Sequence, residues 1–177
     1  MAASTLQLIS PAWGSLQQSE AEVFGCVVWL FMQSSTHQGM PLCELGKLVL
    51  PAMQKGQFVL ATQEHAGHTR PVGFMSWTNF SDEAEARYTK TLHDSLTLED
   101  WNSGDRSWIV HYLTPLGHAA QFRKAVQNSL PQARFRALYH RGDERGLKVL
   151  YFRGSQVSRQ QEHDWWSSRP MALTTAR

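Results

Sequence analysis

The sequence predicts an α/β protein, arranged as an α+β sandwich with a mixed central sheet and flanking helices. Its 177 residues favour one domain with a hydrophobic core of its own. The chain contains segments in which apolar residues recur at helical spacing and segments of strand-like composition. These segments follow one another in the order ααββ(α)βαββα. That order is typical of helices packed on a mixed sheet.

The first two helices are predicted from apolar spacing and from end signals. Ser19 and Glu22 form a capping-box pattern, and the apolar residues after them repeat at helical spacing, so we expect helix one over 20–33. Pro41 suits the first turn of helix two, whose apolar positions extend to Ala52, and Pro51 and Gly56 are expected to close that region.

Composition and turn residues predict the other elements. The strand-like segments 57–62 and 71–80 are expected to pair as a hairpin. Ser81 is a candidate N-cap, and the acidic residues after it favour a short helix. The remaining elements are a strand over 106–114, a helix over 118–130, and the strands "RFRALYH" and "LKVLYFR" around the turn "RGDERG".

Both ends of the chain are expected to lie outside a single domain over 19–155. Residues 1–18 lack a basic segment followed by a long apolar stretch, so we expect a flexible leader and no secretory signal. Residues 156–177 are expected to form a C-terminal helix or tail. The longest apolar run, "VFGCVVWLFM", is half the length that a membrane span requires. We therefore expect a cytoplasmic protein without stable membrane insertion.

The cysteines and the charge distribution limit the classes of function that the chain is expected to have. Cys26 and Cys43 lie in apolar sequence and are expected to be buried thiols, and no spacing resembles a zinc site, so no metal is expected. Residues 1–100 carry a net charge of −5, whereas residues 121–160 carry +7. The basic region suits an anionic partner or is a solvated surface. Because its aromatic residues stand at core-like positions, nucleic-acid binding is the least favoured explanation.

Two histidines and one corner are candidates for chemistry. His37 follows helix one in a loop of small residues, where it is either a general base or an ordinary surface histidine. His111 lies inside an apolar strand, either as a hydrogen-bonded core residue or as a catalytic partner. The corner "TPLGHAAQF" at 114–122 is a structural turn or a phosphate site at a helix start.

Four stretches of the chain resemble the toxin-activating lysine acyltransferases, which prepare RTX-type protein toxins for secretion. The most specific is "DWNSGDRSWIVHYLTPLG". The other three are "EVFGCVVWLFMQSSTHQGMPLCEL", "LPAMQKGQFVLAT" and "PVGFMSWTNFSDEAEARY". The resemblance spans roughly residues 20–155 and weakens over the leader and the tail.

This resemblance implies a fold similar to the Gcn5-related acyltransferases. It also implies a fatty acyl donor on acyl carrier protein, a phosphopantetheine thioester that acts as co-substrate, with no tightly bound cofactor. The acceptor is the ε-amine of an internal lysine in an RTX protoxin, and a homodimer is expected. A non-catalytic relative that binds the carrier protein or the toxin is the alternative.

The family's essential histidine follows the first helix in an "S-x-x-H" loop, which Ser34 and His37 match. The family's second catalytic residue is an aspartate within "W-[FI]-[IV]-D-W". This chain has "WIVHY", so His111 stands at the aspartate position. His111 then acts as base with a changed pH profile, another carboxylate such as Asp105 compensates, or activity is lost or redirected. We expect acyl transfer to be retained.

The donor is expected to contact the basic region, because acyl carrier proteins are acidic. Gly117 and His118 are expected to receive the phosphopantetheine phosphate, with Arg123 and Lys124 beside them. Further candidates for docking the carrier protein are Arg134, Arg136 and Arg141. The wall of an apolar slot for the acyl chain is expected to include Trp29, Phe31, Trp77 and Trp108.

Overall fold

The computed structural model describes residues 6–14, 17–91, 96–141 and 144–171, and it confirms the α/β class. The six strands of the described residues form one mixed sheet in the order β1-β2-β3-β4-β5-β6. The strands are β1 (Gln7–Ile9), β2 (Phe58–His65), β3 (His68–Phe80), β4 (Arg106–Leu113), β5 (Arg134–Arg141) and β6 (Glu144–Arg153). The helices are α1 (Glu20–Gln33), α2 (Leu42–Gln54), α3 (Asp82–Thr91), α4 (Ala119–Ser129) and α5 (Arg159–Ser167).

Strand direction follows from the connections. Strands β2 and β3 are antiparallel and joined by a tight turn, as the predicted hairpin requires. Strands β4 and β5 are parallel, because helix α4 carries the chain back across the sheet between them. Strands β5 and β6 are again antiparallel. None of the helices in the described part of the chain is long and apolar enough to cross a membrane.

The chain divides into two compact units, where the sequence favoured one domain over 19–155. The first unit comprises Met1–Ser76 and His111–Val126. The second unit comprises Trp77–Val110 and Gln127–Arg177. Strands β3 and β4 therefore each contribute residues to both units.

The core of the first unit forms where α1 and α2 bury apolar stripes over the sheet. The predicted capping box at Ser19 is present, with the Glu22 N–H donating to Ser19 Oγ at 3.3 Å, which starts α1 where the sequence indicated. Residues three and four apart on each helix face the same side, so the buried positions recur at that spacing. The buried cluster contains Val23, Val27, Leu30, Phe31, Leu45, Val49, Met53, Phe58, Leu60, Phe74 and Leu113.

The core of the second unit contains a charged cluster beside its aromatic residues. The carboxylate of Glu85, which is 2% exposed, accepts hydrogen bonds from Arg106 Nη1 at 2.8 Å and from Arg136 Nη1 at 2.7 Å. The Trp108 indole N–H donates to the same carboxylate at 2.7 Å. These bonds satisfy a buried charge that would otherwise be costly.

Helix α2 includes Ala52 and ends at Gln54, between Pro51 and Gly56, the two residues expected to close that region. Two other expectations about local structure are corrected. Strand β1 pairs with β2, with Leu8 opposite Ala61, and it lies in the range expected to be a flexible leader. The expectation of two buried thiols is wrong, since Cys26 is half-buried and Cys43 is exposed. Cys43 lies off the buried stripe of α2.

Candidate active site

The end of helix α1 builds the loop that presents His37. The Ser34 N–H donates to Phe31 O at 3.1 Å and ends the helix. The His37 N–H then donates to Ser34 O at 3.0 Å, and the Met40 N–H donates to His37 O at 2.9 Å. Consecutive turns of this kind hold the backbone on both sides of His37, so its ring has a defined position.

Two hydroxyl groups hold the His37 ring through one nitrogen. Ser34 Oγ lies 2.7 Å from Nδ1 of His37, and Thr36 Oγ1 lies 2.8 Å from the same atom. When Nδ1 carries the proton and donates it to either hydroxyl oxygen, Nε2 has a free lone pair. This tautomer is the one that a general base acting through Nε2 needs.

Partial burial makes the His37 imidazole a weaker binder of protons. The ring is half-buried and meets the edge of the Phe31 ring at 5.0 Å between centroids. Burial lowers the pKa of His37 below its ordinary value, because desolvation penalises the imidazolium form. The neutral form therefore predominates at neutral pH.

His111 is buried, and it contacts the same phenylalanine. Its side chain is 7% exposed, and its Nδ1 lies 2.7 Å from Ser76 Oγ on β3. Its ring packs against Phe31 at 5.7 Å and against Phe74 at 6.3 Å between centroids. Phe31 thus contacts both predicted catalytic imidazoles within the first unit.

The corner before α4 has the geometry of an exposed helix start. Gly117 has a φ of +85°, which favours glycine, and α4 begins two residues later at Ala119. The His118 Nε2–H donates to Gln63 Oε1 at 3.2 Å, which ties the corner to the end of β2. Arg123 and Lys124 are exposed on the first turns of α4. The corner therefore offers backbone N–H groups with two cations nearby.

The structure corrects part of the predicted donor surface. Arg136 is 2% exposed and bound to Glu85, so the expectation that it contacts a carrier protein is wrong. Arg134 stacks over Trp165 at 5.2 Å, which leaves its charge at the surface of the second unit. The side chain of Arg141 lies outside the described residues.

The predicted aromatic slot is not assembled as expected. Trp108 is fully buried in the second unit, and Trp77 packs against Phe135 there at 5.9 Å. Both belong to the core because strand alternation points their side chains inward. Of the four aromatic residues, Phe31 contacts the two histidines and Trp29 lines a cavity of the first unit.

Residues 100–105, the start of the most specific motif, have a structural role in the second unit. A Cβ on Gly104 would lie 2.4 Å from Phe80 O, so only glycine fits this approach. Asp105 accepts hydrogen bonds from the Arg169 guanidinium at 2.6 and 2.9 Å, which explains the lowered pKa of its carboxyl group. Asp105 therefore forms an ion pair in the second unit, and compensation for His111 by this carboxylate stays a prediction.

Two functional candidates escaped the sequence analysis. Ser76 orients His111, and Thr36 orients His37. The signal for Ser76 is strand alternation, because Phe74 and Ser76 are two residues apart and therefore share one face of β3. No comparable signal marks Thr36, since its contact depends on the fold of the loop.

Comparisons with known proteins identify a matching family and several relatives. The family model described as HlyC, the RTX toxin acyltransferase family, matches residues 16–153. The leukotoxin-activating lysine-acyltransferase LtxC of Aggregatibacter actinomycetemcomitans is 36% identical, covering 78% of this chain and 80% of LtxC. The RTX-I toxin-activating lysine-acyltransferase ApxIC of Actinobacillus pleuropneumoniae is 35% identical, covering 78% and 77%.

A third relative has a name that states the acyl group. The protein-lysine myristoyltransferase HlyC of Escherichia coli is 34% identical, covering 78% of this chain and 79% of that protein. The match extends over most of the chain and includes both histidine positions, the corner before α4 and residues 100–105. The chain therefore belongs to the HlyC family of RTX toxin acyltransferases.

Proposed function

We propose that this chain is a protein-lysine fatty acyltransferase that uses acyl carrier protein as donor and activates an RTX protoxin. The observation that carries the proposal is His37, whose Nδ1 lies within hydrogen-bond distance of two hydroxyl groups and whose ring shares Phe31 with His111. Such an imidazole is oriented, partly desolvated and neutral, as base catalysis requires. A cytoplasmic location and a homodimer belong to the same proposal.

The acceptor attacks as the neutral ε-amine, because a lysine ammonium has no free electron pair, and the proton that distinguishes the two forms is released to solvent before the attack. A second proton must leave the amine nitrogen as the amide forms, so the reaction requires a proton acceptor. Nε2 of His37 takes a proton from the acceptor ε-amine as the amine nitrogen attacks the thioester carbonyl. The C–N amide bond forms, and the C–S bond breaks. The proton then passes to the phosphopantetheine sulfur, which leaves as a thiol. Direct transfer and a route through an acyl-histidine intermediate form and break the same bonds overall, so both are compatible with this reaction.

The first prediction concerns pH. Because burial lowers the pKa of His37, kcat/KM for transfer is expected to decline on the acid side only below about pH 6.5. The decline reflects protonation of the base, so activity is present above the lowered pKa and is lost as pH falls through it. Rates between pH 5 and 8 test this, and an acid limb centred above pH 6.5 contradicts it.

The second prediction concerns His111. The resemblance implies an aspartate at this position, so His111→Asp is expected to preserve or raise transfer near neutral pH. Ser76 Oγ, now 2.7 Å from the imidazole Nδ1, is placed to donate to the new carboxylate. His111→Ala removes both the proton-accepting group and the hydrogen bond with Ser76, and it is expected to slow transfer by about 100-fold. A large loss in His111→Asp instead indicates that this chain uses a different proton path.

The third prediction concerns the donor surface. The double change Arg123→Glu and Lys124→Glu is expected to raise KM for acyl carrier protein at least about tenfold, with kcat little changed, because both side chains are exposed cations. The effect is expected to shrink as salt rises. A matched control is Arg159→Glu, an exposed arginine at the start of α5. Equal effects of the two changes contradict a specific docking role.

One assay tests the function as a whole. The full chain is mixed with acyl carrier protein charged with a labelled fatty acid and with a protoxin fragment. Transfer of the label to lysine supports the proposal. Tight binding without transfer identifies a non-catalytic relative. Retention on a polyanion column that falls steeply with salt, with no preference for the carrier protein, indicates nucleic-acid binding.

A further inference from the structure

A cavity of about 1100 Å³ lies in the first unit, apart from the residues of the candidate active site. Its walls are α1 as far as Trp29, strand β1 with the residues that follow it, the middle of β2 and the start of β3. Neither His37 nor His111 is among the residues that line it. The volume is slightly above the usual range of about 300–1,000 Å³ for small-molecule sites in proteins.

About half of the cavity wall is apolar, and this part suits a hydrocarbon chain. The apolar side chains come from all of its elements and include Leu8, Ile9, Val23, Trp29, Leu60 and Pro71. Gly25 of α1 is an exposed residue of the same wall, and a Cβ placed there meets no atom within 4 Å. A large side chain at Gly25 would therefore have room to cover part of this wall.

The cavity wall also carries a cation, Arg70, that forms no ion pair within the described residues. The Arg70 guanidinium lies over the Trp29 ring at 5.7 Å, and no described carboxylate forms an ion pair with it. Among the same described residues, Arg70 Nε and Thr62 Oγ1 are buried polar atoms without hydrogen-bond partners. Buried donors of this kind are stabilised by an acceptor oxygen.

The acidic residue on the wall does not neutralise Arg70. The carboxylate of Glu22 accepts hydrogen bonds from the Ser19 N–H at 2.7 Å and from Ser19 Oγ at 2.8 Å, which commits it to the N-terminal cap of α1. These bonds lower the pKa of Glu22, so it remains an anion held at the helix end. The cation over Trp29 is therefore available to a ligand.

We propose that this cavity binds a free long-chain carboxylate, that is, a fatty acid. Its carboxylate accepts hydrogen bonds from the Arg70 guanidinium, and its chain lies along the apolar wall past Gly25. A small anion would leave the apolar wall uncovered, and a neutral lipid would leave Arg70 without an acceptor. The proposal does not depend on acyl transfer, because the candidate catalytic histidines lie outside the cavity.

Calorimetric titration of the full chain with sodium laurate, below its micelle concentration, tests the proposal. Gly25→Trp fills the open space and is expected to weaken laurate binding at least about tenfold, whereas the matched control Gly25→Ala is expected to bind as the unchanged protein does. Arg70→Gln is expected to weaken laurate binding by a similar factor and to leave binding of lauryl alcohol unchanged. Because Arg70 is on a strand and Gly25 on a helix, a folding defect in one variant leaves the other informative.

Three results would overturn the proposal. Absence of laurate binding by the unchanged protein excludes long-chain carboxylates as ligands of this cavity. Acetate binding as tight as laurate binding shows that the apolar wall contributes nothing. Equal loss of laurate binding in His37→Ala places the chain in the candidate active site instead of this cavity. A laurate-binding protein that transfers no acyl group retains the cavity proposal and contradicts only the enzymatic one.

Discussion

Replacing His37 by alanine is expected to lower acyl transfer at least about 100-fold while leaving the fold intact. The substitution removes the only part of the loop that accepts a proton in the proposed mechanism. It leaves the backbone bonds of residue 37 in place, namely the N–H to Ser34 O at 3.0 Å and the Met40 N–H to residue 37 O at 2.9 Å. Labelled-lysine formation in single turnovers measures the loss.

The matched control for this variant is His68→Ala. His68 is exposed and lies at the turn between β2 and β3, where the proposed mechanism assigns it no role. Unchanged transfer in His68→Ala together with a large loss in His37→Ala supports a specific base. Equal transfer in the two variants removes His37 from the mechanism. Unfolding midpoints of both variants distinguish a loss of catalysis from a loss of folded protein.

Replacing Glu85 by alanine is expected to destabilise the protein by about 3–5 kcal/mol, the largest stability change that we predict. The side chain is 2% exposed and accepts hydrogen bonds from two guanidinium groups and one indole. Its removal leaves Arg106 and Arg136 with buried positive charge and no counter-charge at that position. Urea unfolding followed by linear extrapolation measures the change in free energy of unfolding.

Asp82 supplies the matched control, because it pairs with the same arginine from the surface. Its carboxylate lies 2.5 Å from Arg106 Nε, and its side chain is 73% exposed. Asp82→Asn is therefore expected to cost less than about 1 kcal/mol. The two variants differ chiefly in burial of the carboxylate. Similar losses of stability in both variants would contradict the argument that burial of the Glu85 carboxylate makes its contribution to stability large.

The buried cluster around Glu85 also connects to the chain after α5. Arg106 Nη1 donates to Pro170 O at 3.0 Å, and Arg136 Nη2 donates to Arg169 O at 2.7 Å. Loss of Glu85 is therefore expected to loosen this segment as well, because the two arginines that bind it lose their anchor. Faster hydrogen exchange after residue 168 would accompany the drop in stability.

Local patterns in the sequence predicted the secondary structure well because helices and strands depend on near neighbours. Helix α1 begins after Ser19 and ends at Gln33 as its cap and apolar spacing indicated. The strand that contains His111 and the helix after Gly117 also lie where the sequence placed them. The exposure of Cys43 depended instead on packing.

By itself, the sequence determined the α/β class, the family and the two candidate histidines, because these rest on local spacing and on continuous motifs. Only the tertiary structure decided that Phe31 contacts both His37 and His111, and that Ser76 orients the second ring. Only the tertiary structure also showed that Arg136 is a core residue and not a surface cation. The physical reason is that burial and counter-charge come from residues distant in the chain, such as Glu85, whose proximity no local pattern encodes.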